Sequence, residues 1–176
     1  AVLGYGTVGS GVVEVINTNH ESINKRAGDE INIKYVLDLR DFPGDPVQEK
    51  IVHDVDIIIQ DKEIDVVVEV MGGIEPARRY ILDALHAGKS VVTANKDLLA
   101  SHGKELMDAA AETKSDLLFE ASVAGGIPII RPLKQCLAGN HMSEVMGIVN
   151  GTTNFILTKM SQDNMEFKDA LALATK

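Results

Sequence analysis

The glycine-rich segment from Gly4 to Gly9 constrains the fold of this chain more than any other feature. It follows the apolar residues Ala1-Val2-Leu3 and has the spacing G-x-G-x-x-G. In this pattern the first glycine turns the chain out of a strand, the second lets a pyrophosphate approach the backbone, and the third lets a helix pack closely. Phosphates then meet unpaired N–H groups at the helix N-terminus. The segment therefore predicts a strand–turn–helix unit that binds a dinucleotide.

The residues after this segment support that interpretation over an ordinary glycine turn without a ligand. One side of the predicted helix carries the apolar residues Val8, Val12, Val15, Ile16 and Ile23. Lys25 and Arg26 suit a last helical turn, and Gly28 suits its end. Only three residues precede Gly4, fewer than the roughly five or six of a typical strand. We therefore expect the natural chain to begin before Ala1.

The rest of the chain alternates between strand and helix patterns. Strands are predicted over 31–38, 65–71, 89–93 and 116–120, with a short strand and a helical turn within 51–61. Helices are predicted from Pro76 to Gly88 and over 101–113, the latter with Ser101 as its cap. This alternation predicts an α/β fold with a Rossmann-type, doubly wound parallel sheet.

The C-terminal part departs from this alternation. The sequence predicts a helix from Pro128 to about Leu137, with Cys136 packed inside it, and a strand over 144–149. A polar break follows over 150–154, then an apolar helix face from Phe155 to Met160 and a helix over 167–175.

Composition excludes several functional classes. The 176-residue chain is 45% hydrophobic and carries a net charge of −9 without a basic run, which argues against nucleic acid as a partner. Its single cysteine permits no internal disulfide, so a reducing, cytoplasmic setting is expected. We find no signal peptide, and no apolar run reaches the roughly 20 residues that span a membrane.

Four polar residues at or near predicted strand ends are candidate site residues. Asp38 could bind a ribose hydroxyl of NAD, and Arg40 could bind the 2′-phosphate of NADP, so the pair leaves the cofactor open; an ordinary solvated turn is the alternative. Lys96 follows a strand on the ligand side, where it could meet a substrate or a nicotinamide, or simply be a solvated lysine. Glu69 either marks the site edge, which we favour, or pairs with a buried polar group.

Five segments together resemble homoserine dehydrogenase, and they occur in the family's order along the whole chain. They are Gly4–Gly11, Val68-Glu69-Val70-Met71-Gly72-Gly73, Thr93-Ala94-Asn95-Lys96, Glu120–Pro128 and Asn150-Gly151-Thr152-Thr153-Asn154. The resemblance implies NAD(P)-dependent interconversion of L-homoserine and L-aspartate 4-semialdehyde, a step toward threonine, methionine and isoleucine. It divides the chain into an NAD(P)-binding domain over 1–125 and the first part of an α+β substrate and dimerisation domain over 126–176.

The resemblance also implies roles for individual residues. Lys96 corresponds to a catalytic lysine beside nicotinamide and substrate, where its amine can polarise the carbonyl and relay a proton. Arg40 matches an arginine near the adenosine ribose, which favours acceptance of NADP. A sodium ion is implied at Glu120 and at the carbonyl groups of Val123, Gly125 and Ile127. The implied cofactor-binding residues are Gly4, Tyr5, Gly6, Thr7, Val8, Gly9, Asp38, Arg40, Gly72, Gly73, Thr93 and Lys96.

In the family, a second catalytic lysine and paired acids lie in a segment that would follow position 176. We therefore expect this chain to be a fragment that binds the cofactor with little or no turnover, and the full-length protein to be a homodimer. Three alternatives remain at this point. They are an NAD(H)-sensing domain, a ligand-free α/β domain, and another semialdehyde dehydrogenase, whose acylable cysteine could only be Cys136.

Overall fold

A computed structural model describes residues 1–148 and 150–175 of the chain. The chain divides into two compact units, residues 1–122 and residues 123–176. Each unit is described by itself below.

The first unit contains a six-stranded parallel sheet. Its strands in chain order are β1 (Val2–Leu3), β2 (Val36–Leu37), β3 (Ile51–Val52), β4 (Val66–Glu69), β5 (Ser90–Thr93) and β6 (Leu117–Leu118). The strand order in space is β3-β2-β1-β4-β5-β6, with every neighbouring pair parallel. This is the order of a classical dinucleotide-binding sheet, whose direction of winding reverses between β1 and β4. The predicted doubly wound fold is confirmed.

The first unit also contains five α-helices, four of which pack against the sheet, whereas the second along the chain has no buried residue. The five helices are α1 (Thr7–Thr18), α2 (His20–Ala27), α3 (Val55–Gln60), α4 (Ala77–His86) and α5 (Lys96–Thr113). Adjacent residues of β1 point to opposite faces, as the twofold period of a strand requires. Leu3 packs into a core with α3, α4 and α5, whereas Val2 packs into a second core with Val13 of α1. Leu3, Ile81 and Leu85 are fully buried, and each contributes about 1.5–3 kcal/mol by leaving water.

Several predicted boundaries in the first unit need correction. The predicted first helix is interrupted at Asn19, which ends α1 and begins α2; Thr and Asn are poor helix formers. Of the strand predicted over 31–38, only Val36 and Leu37 pair in the sheet. Helix α5 begins at Lys96 rather than Ser101, because the side chain of Asn95 caps it by accepting a bond from Leu98 N at 3.1 Å. Ser101 instead lies inside the helix and donates back to Asp97 O at 2.7 Å.

The second unit contains a π-helical turn (Pro132–Cys136) and helices α6 (Gly151–Gln162) and α7 (Phe167–Ala174). The helix predicted over 128–137 needs correction, because its main part is this π-helical turn, in which Leu137 N bonds Pro132 O five residues back. Cys136 is exposed there rather than packed.

Two further predictions for this unit change. The predicted polar break over 150–154 is the beginning of α6, because Asn150 caps that helix through Thr153 N at 2.8 Å. Residues 144–148 form no strand, and no strand in the described part of this unit offers them a partner. Val149, the last residue of that predicted strand, lies outside the described residues. Among the residues that the structure describes, no helix is long and apolar enough to cross a membrane.

Gly9 provides a stability test of the strand–turn–helix unit. A Cβ atom at this position would overlap the carbonyl oxygen of Gly4, whereas a Cβ at Gly11 in the same helix meets nothing within 4 Å. We expect Gly9→Ala to lower the free energy of unfolding by more than about 2 kcal/mol through this overlap. Gly11→Ala is the matched control and should raise it by up to about 1 kcal/mol. Urea unfolding compares the two variants; equal effects would contradict the tight packing of Gly9.

Candidate functional site

The glycine-rich turn lies at the carboxyl edge of the sheet, between β1 and α1. A Cβ on Gly4 would lie 3.1 Å from Met71, so the loops after β1 and β4 touch at the backbone. Gly6 faces open space instead, with nothing within 4 Å of a Cβ built on it. Helix α1 has no side-chain cap and no acidic residue in its first turn. Its N-terminus therefore fits an anionic phosphate group.

Asp38 joins this turn to the end of β2. Its carboxylate accepts bonds from Tyr5 N at 2.8 Å and from Arg40 N, Nε and Nη2 at 3.0 Å each. Arg40 Nη2 also donates to Tyr5 O at 3.1 Å. These four bonds use about all four lone-pair sites of a carboxylate. The Arg40 guanidinium and the two backbone N–H groups hold the pKa of Asp38 well below its usual range.

The Arg40 side chain is held at the surface by contacts on several sides. It is 63% exposed, whereas the Asp38 side chain is only 10% exposed. The guanidinium carbon lies 5.0 Å from the centroid of the Phe42 ring. Phe42 in turn meets Tyr5 edge to face at 4.9 Å, and the Tyr5 hydroxyl donates to Asp45 at 3.2 Å. This arrangement keeps the cation beside the glycine-rich turn and open to solvent.

A cleft of about 470 Å³ runs along this edge of the sheet. Its volume lies within the roughly 300–1,000 Å³ of small-molecule sites. The residues around it come from the loops after β1, β2, β3 and β4 and from helix α4. They are Gly4, Tyr5, Gly6, Leu37, Asp38, Leu39, Arg40, His53, Val70, Met71, Gly72, Pro76 and Tyr80.

Beneath the cleft, the ends of β4 and β5 are joined by a buried chain of hydrogen bonds. Glu69 is fully buried at the end of β4. One of its oxygens accepts from Met71 N at 2.9 Å and the other from the Thr93 hydroxyl at 2.6 Å. The Thr93 oxygen accepts from Asn95 N at 3.0 Å, and the Asn95 amide donates to Gly73 O at 2.5 Å. Glu69 therefore pairs with a buried hydroxyl, and it also holds Met71, a residue that lines the cleft.

The predicted cofactor-binding residues divide into those around the cleft and those beside it. Gly4, Tyr5, Gly6, Asp38, Arg40 and Gly72 line the cleft. Thr7 and Val8 are exposed in the first turn of α1, while Gly9 is buried below. Gly73 and Lys96 are exposed but do not line the cleft. Thr93 is fully buried, and its hydroxyl is bonded to protein groups.

The residues of the implied sodium site lie where the two units meet in sequence. Glu120 begins a short 3-10 turn, Glu120–Ser122, in the first unit. Val123, Gly125 and Ile127 belong to the second unit, where Gly125 has a φ of 58°. Within residues 1–148 and 150–175, no group of three or more His, Cys, Asp or Glu could hold a metal ion. A sodium site built from carbonyl oxygens stays a prediction.

Comparison with known proteins assigns this arrangement to a family. The model of the homoserine dehydrogenase NAD-binding domain matches residues 4–120, and the homoserine dehydrogenase model matches residues 128–176. The chain belongs to the homoserine dehydrogenase family. It is 46% identical to homoserine dehydrogenase of Bacillus subtilis over 97% of its own length, and 45% identical to that of Corynebacterium glutamicum over its full length. It spans about 40% of the length of each of these two relatives.

Solved structures of homoserine dehydrogenases have the same fold. The enzyme of Thiobacillus denitrificans matches with a TM-score of 0.88 and 41% identity, over 98% of this chain and 41% of that one. A hyperthermophilic archaeal homoserine dehydrogenase, solved in complex with NADPH, matches with a TM-score of 0.81 and 29% identity. That match covers 98% of this chain and 59% of the archaeal one. The sheet and its glycine-rich turn are therefore those of a homoserine dehydrogenase cofactor domain.

Sequence reasoning missed some residues of this homoserine dehydrogenase site. Met71 and Tyr80 line the cleft, although only the position of Met71 directly after β4 could have indicated it. His53, interpreted as a surface loop residue, is exposed but also lines the cleft, with Nδ1 2.7 Å from Asp38 O. Asn95 could have been found from its preference for helix N-caps.

The lowered pKa of Asp38 predicts a pH-dependent contribution to stability. Because the native pKa lies below the unfolded value of about 3.9, this contribution is present above about pH 4 and is lost as the pH falls through the native pKa. We expect Asp38→Asn to lower the free energy of unfolding by about 1 kcal/mol at pH 7. The difference from wild type should shrink on acidification below about pH 4. Urea unfolding across this range measures it.

Asp108→Asn serves as the control for this experiment. Asp108 pairs with Lys104 on the exposed face of α5, and such surface pairs contribute little. We therefore expect a much smaller effect at pH 7. An equal decrease in the free energy of unfolding in both variants would show that Asp38 acts only as a surface charge.

Proposed function

We propose that the whole protein interconverts L-homoserine and L-aspartate 4-semialdehyde with NAD(P), a step toward threonine, methionine and isoleucine. The present chain supplies the cofactor-binding part. The observation that carries this proposal is the cleft at the β1–β4 reversal, which joins an open glycine-rich turn to the Asp38–Arg40 pair. Ligands of such sheets bind at this edge and at this reversal. Membership of the homoserine dehydrogenase family supports the substrate pair.

We further propose that NADP binds more tightly than NAD. Asp38 could favour NAD only by accepting a bond from a ribose hydroxyl, but its four acceptor positions are already used by Tyr5 and Arg40. Arg40 is the more exposed member of the pair and has a cationic face open to solvent. A guanidinium of this kind suits a 2′-phosphate. The archaeal relative in complex with NADPH is consistent with this choice.

Titration of the chain with NADPH and NADH tests this proposal. We expect tighter binding of NADPH, and we expect Arg40→Ala to weaken NADPH binding about tenfold or more by removing a charge-assisted bond. NADH binding should change by less than about threefold, since it lacks the 2′-phosphate. Arg26→Ala, at an exposed position in the last turn of α2, is the control. Equal loss of both cofactors in Arg40→Ala would contradict a role in 2′-phosphate binding.

Lys96 is proposed to be the catalytic group of this part of the protein. It is the first residue of α5, exposed and directly after Asn95, at the carboxyl edge of β5. Bound NAD(P) supplies the hydride acceptor or donor of the reaction. The ammonium group of Lys96 would polarise the substrate oxygen and exchange a proton with it. An NAD(H)-sensing domain would need no such lysine.

Substitution of Lys96 in the whole protein tests this role. We expect Lys96→Ala to lower kcat by about 10²–10⁴-fold, the usual contribution of a positioned acid or base. The Kd for NADPH should rise less than about tenfold, because the lysine acts mainly on the substrate. Lys104→Ala, on the same helix and paired only with Asp108 at the surface, is the control. An unchanged kcat in Lys96→Ala would contradict a catalytic role for Lys96, whereas a whole protein without turnover would favour the sensing domain.

The sodium ion and the homodimer that the resemblance implies stay predictions. They concern the whole protein, of which this chain corresponds to about 40% in the first relatives.

A further inference from the structure

We propose that the buried chain Glu69–Thr93–Asn95 is a positioning device for the nicotinamide half of the site. This inference rests on the proposed function, because it assumes that the nicotinamide lies near the Gly72–Gly73 turn and Lys96. The inference concerns residues whose side chains are buried and bonded to protein groups. They would act by holding the Gly72–Gly73 turn and Lys96 in place.

The hydrogen bonds of Glu69, Thr93 and Asn95 join two segments that are far apart in sequence. Glu69 holds the start of the Met71–Gly73 turn through Met71 N, and Asn95 holds its end through Gly73 O. Asn95 also caps α5, of which Lys96 is the first residue. Thr93 links the two by donating to Glu69 and accepting from Asn95 N. The turn and the N-terminus of α5 are therefore fixed relative to each other by one connected set of bonds.

The three residues of this hydrogen-bonded set are buried. Glu69 and Thr93 are 0% exposed and Asn95 is 6% exposed. Within the part of the chain that the structure describes, Glu69 makes no ion pair, and both of its oxygens accept hydrogen bonds. Leu3 and Thr93 are its partners in the neighbouring strands of the sheet. Burial of a carboxylate costs free energy unless hydrogen-bond partners satisfy it. The two donors must therefore stay in place around Glu69.

The chemistry of Glu69 also predicts which substitutions will break the set. Both groups that face its oxygens are donors, Met71 N–H and Thr93 O–H. A glutamine has one acceptor oxygen and an NH₂ group, so in Glu69→Gln only one of the two donors keeps an acceptor. With the oxygen on Met71 N–H, the Thr93 hydroxyl must turn to accept from the NH₂ group and loses its charged acceptor. Thr93→Val keeps the shape of the residue but removes both bonds of the hydroxyl. Thr93→Ser keeps the hydroxyl.

A pair of ligands that differ only in the nicotinamide separates positioning from general damage. NADPH and ADP-ribose 2′-phosphate share the adenosine, the 2′-phosphate and the diphosphate, and only NADPH carries the nicotinamide. We expect Glu69→Gln and Thr93→Val to weaken NADPH binding about tenfold, as expected for one broken charged bond. Binding of ADP-ribose 2′-phosphate should stay within about twofold, and Thr93→Ser should restore NADPH binding.

Lys89→Met is the matched control. Lys89 is also buried at β5, but at its opposite end, where its ammonium group donates to Asp61 O and Ile64 O at 2.6 and 2.9 Å. This variant should lose stability in urea without a selective loss of NADPH. Titration calorimetry on the 176-residue chain gives both affinities, and urea unfolding of each variant shows which remain folded.

Each result has a definite meaning. Selective loss of NADPH in Glu69→Gln and Thr93→Val, with rescue by Thr93→Ser, supports the positioning role. Equal loss of both ligands, no loss, or the same selective loss in Lys89→Met overturns it. If the wild-type chain binds neither ligand, the proposed cofactor site itself fails and the inference falls with it. If the wild-type chain binds both ligands and the variants show no selective loss of NADPH, the inference fails but the proposed function stands.

Discussion

The contact between Gly9 and the carbonyl group of Gly4 determines where α1 can lie against β1. Because no side chain separates them, the helix N-terminus comes directly over the end of the strand. The loop after β4 also approaches Gly4, since a Cβ on Gly4 would lie 3.1 Å from Met71. These two backbone contacts bring β1, β4 and α1 together at the reversal of the sheet, where a ligand must fit. The cleft, the Asp38–Arg40 pair and the buried Glu69 chain are all arranged around this point.

Two carboxylates at strand ends in this site accept hydrogen bonds from other parts of the protein. Asp38 follows β2 and accepts bonds from the glycine-rich turn and Arg40. Glu69 ends β4 and accepts bonds from the next turn and the next strand. Each carboxylate fixes a loop whose backbone would otherwise have free N–H groups near the site. An acidic residue at a strand end therefore does not by itself indicate a ligand contact, and its remaining acceptor capacity must be counted first.

The sequence predicted the class of fold because its strands and glycines are locally specified. The β-branched run of β4 predicts a buried strand and the G-x-G-x-x-G spacing predicts a strand–turn–helix unit, and the structure agrees with both. The predictions that failed concern features that depend on residues outside the local sequence window. The start of α5 depends on Asn95, which is itself held by Gly73 from another loop, and the window around 101–113 gives no sign of that bond. The strand predicted over 144–149 needs a neighbour that local pattern cannot provide.

The distinction between local patterns and contacts from distant segments also explains which site residues could be predicted from the sequence. Gly4, Gly6 and Arg40 belong to motifs and line the cleft, whereas Tyr80 reaches it from the middle of α4 and carries no motif. Thr93 belongs to a motif, but its buried hydroxyl serves Glu69 and Asn95. A motif thus marks a segment as important without stating whether a given side chain meets the ligand or holds the segment that does.

Charge shows how local structure can override the composition of the chain. A net charge of −9 opposes the approach of a polyanion such as NADP. Screening confines that repulsion to about 8–10 Å at moderate salt, so the groups nearest the ligand decide binding. Here these are the uncapped N-terminus of α1, without an acidic residue in its first turn, and the exposed guanidinium of Arg40. Asp38 balances the charge of Arg40, but its side chain is only 10% exposed and its oxygens accept bonds from protein groups, whereas the Arg40 side chain is 63% exposed. An acidic protein can therefore present a local site for an anion without any basic patch in its sequence.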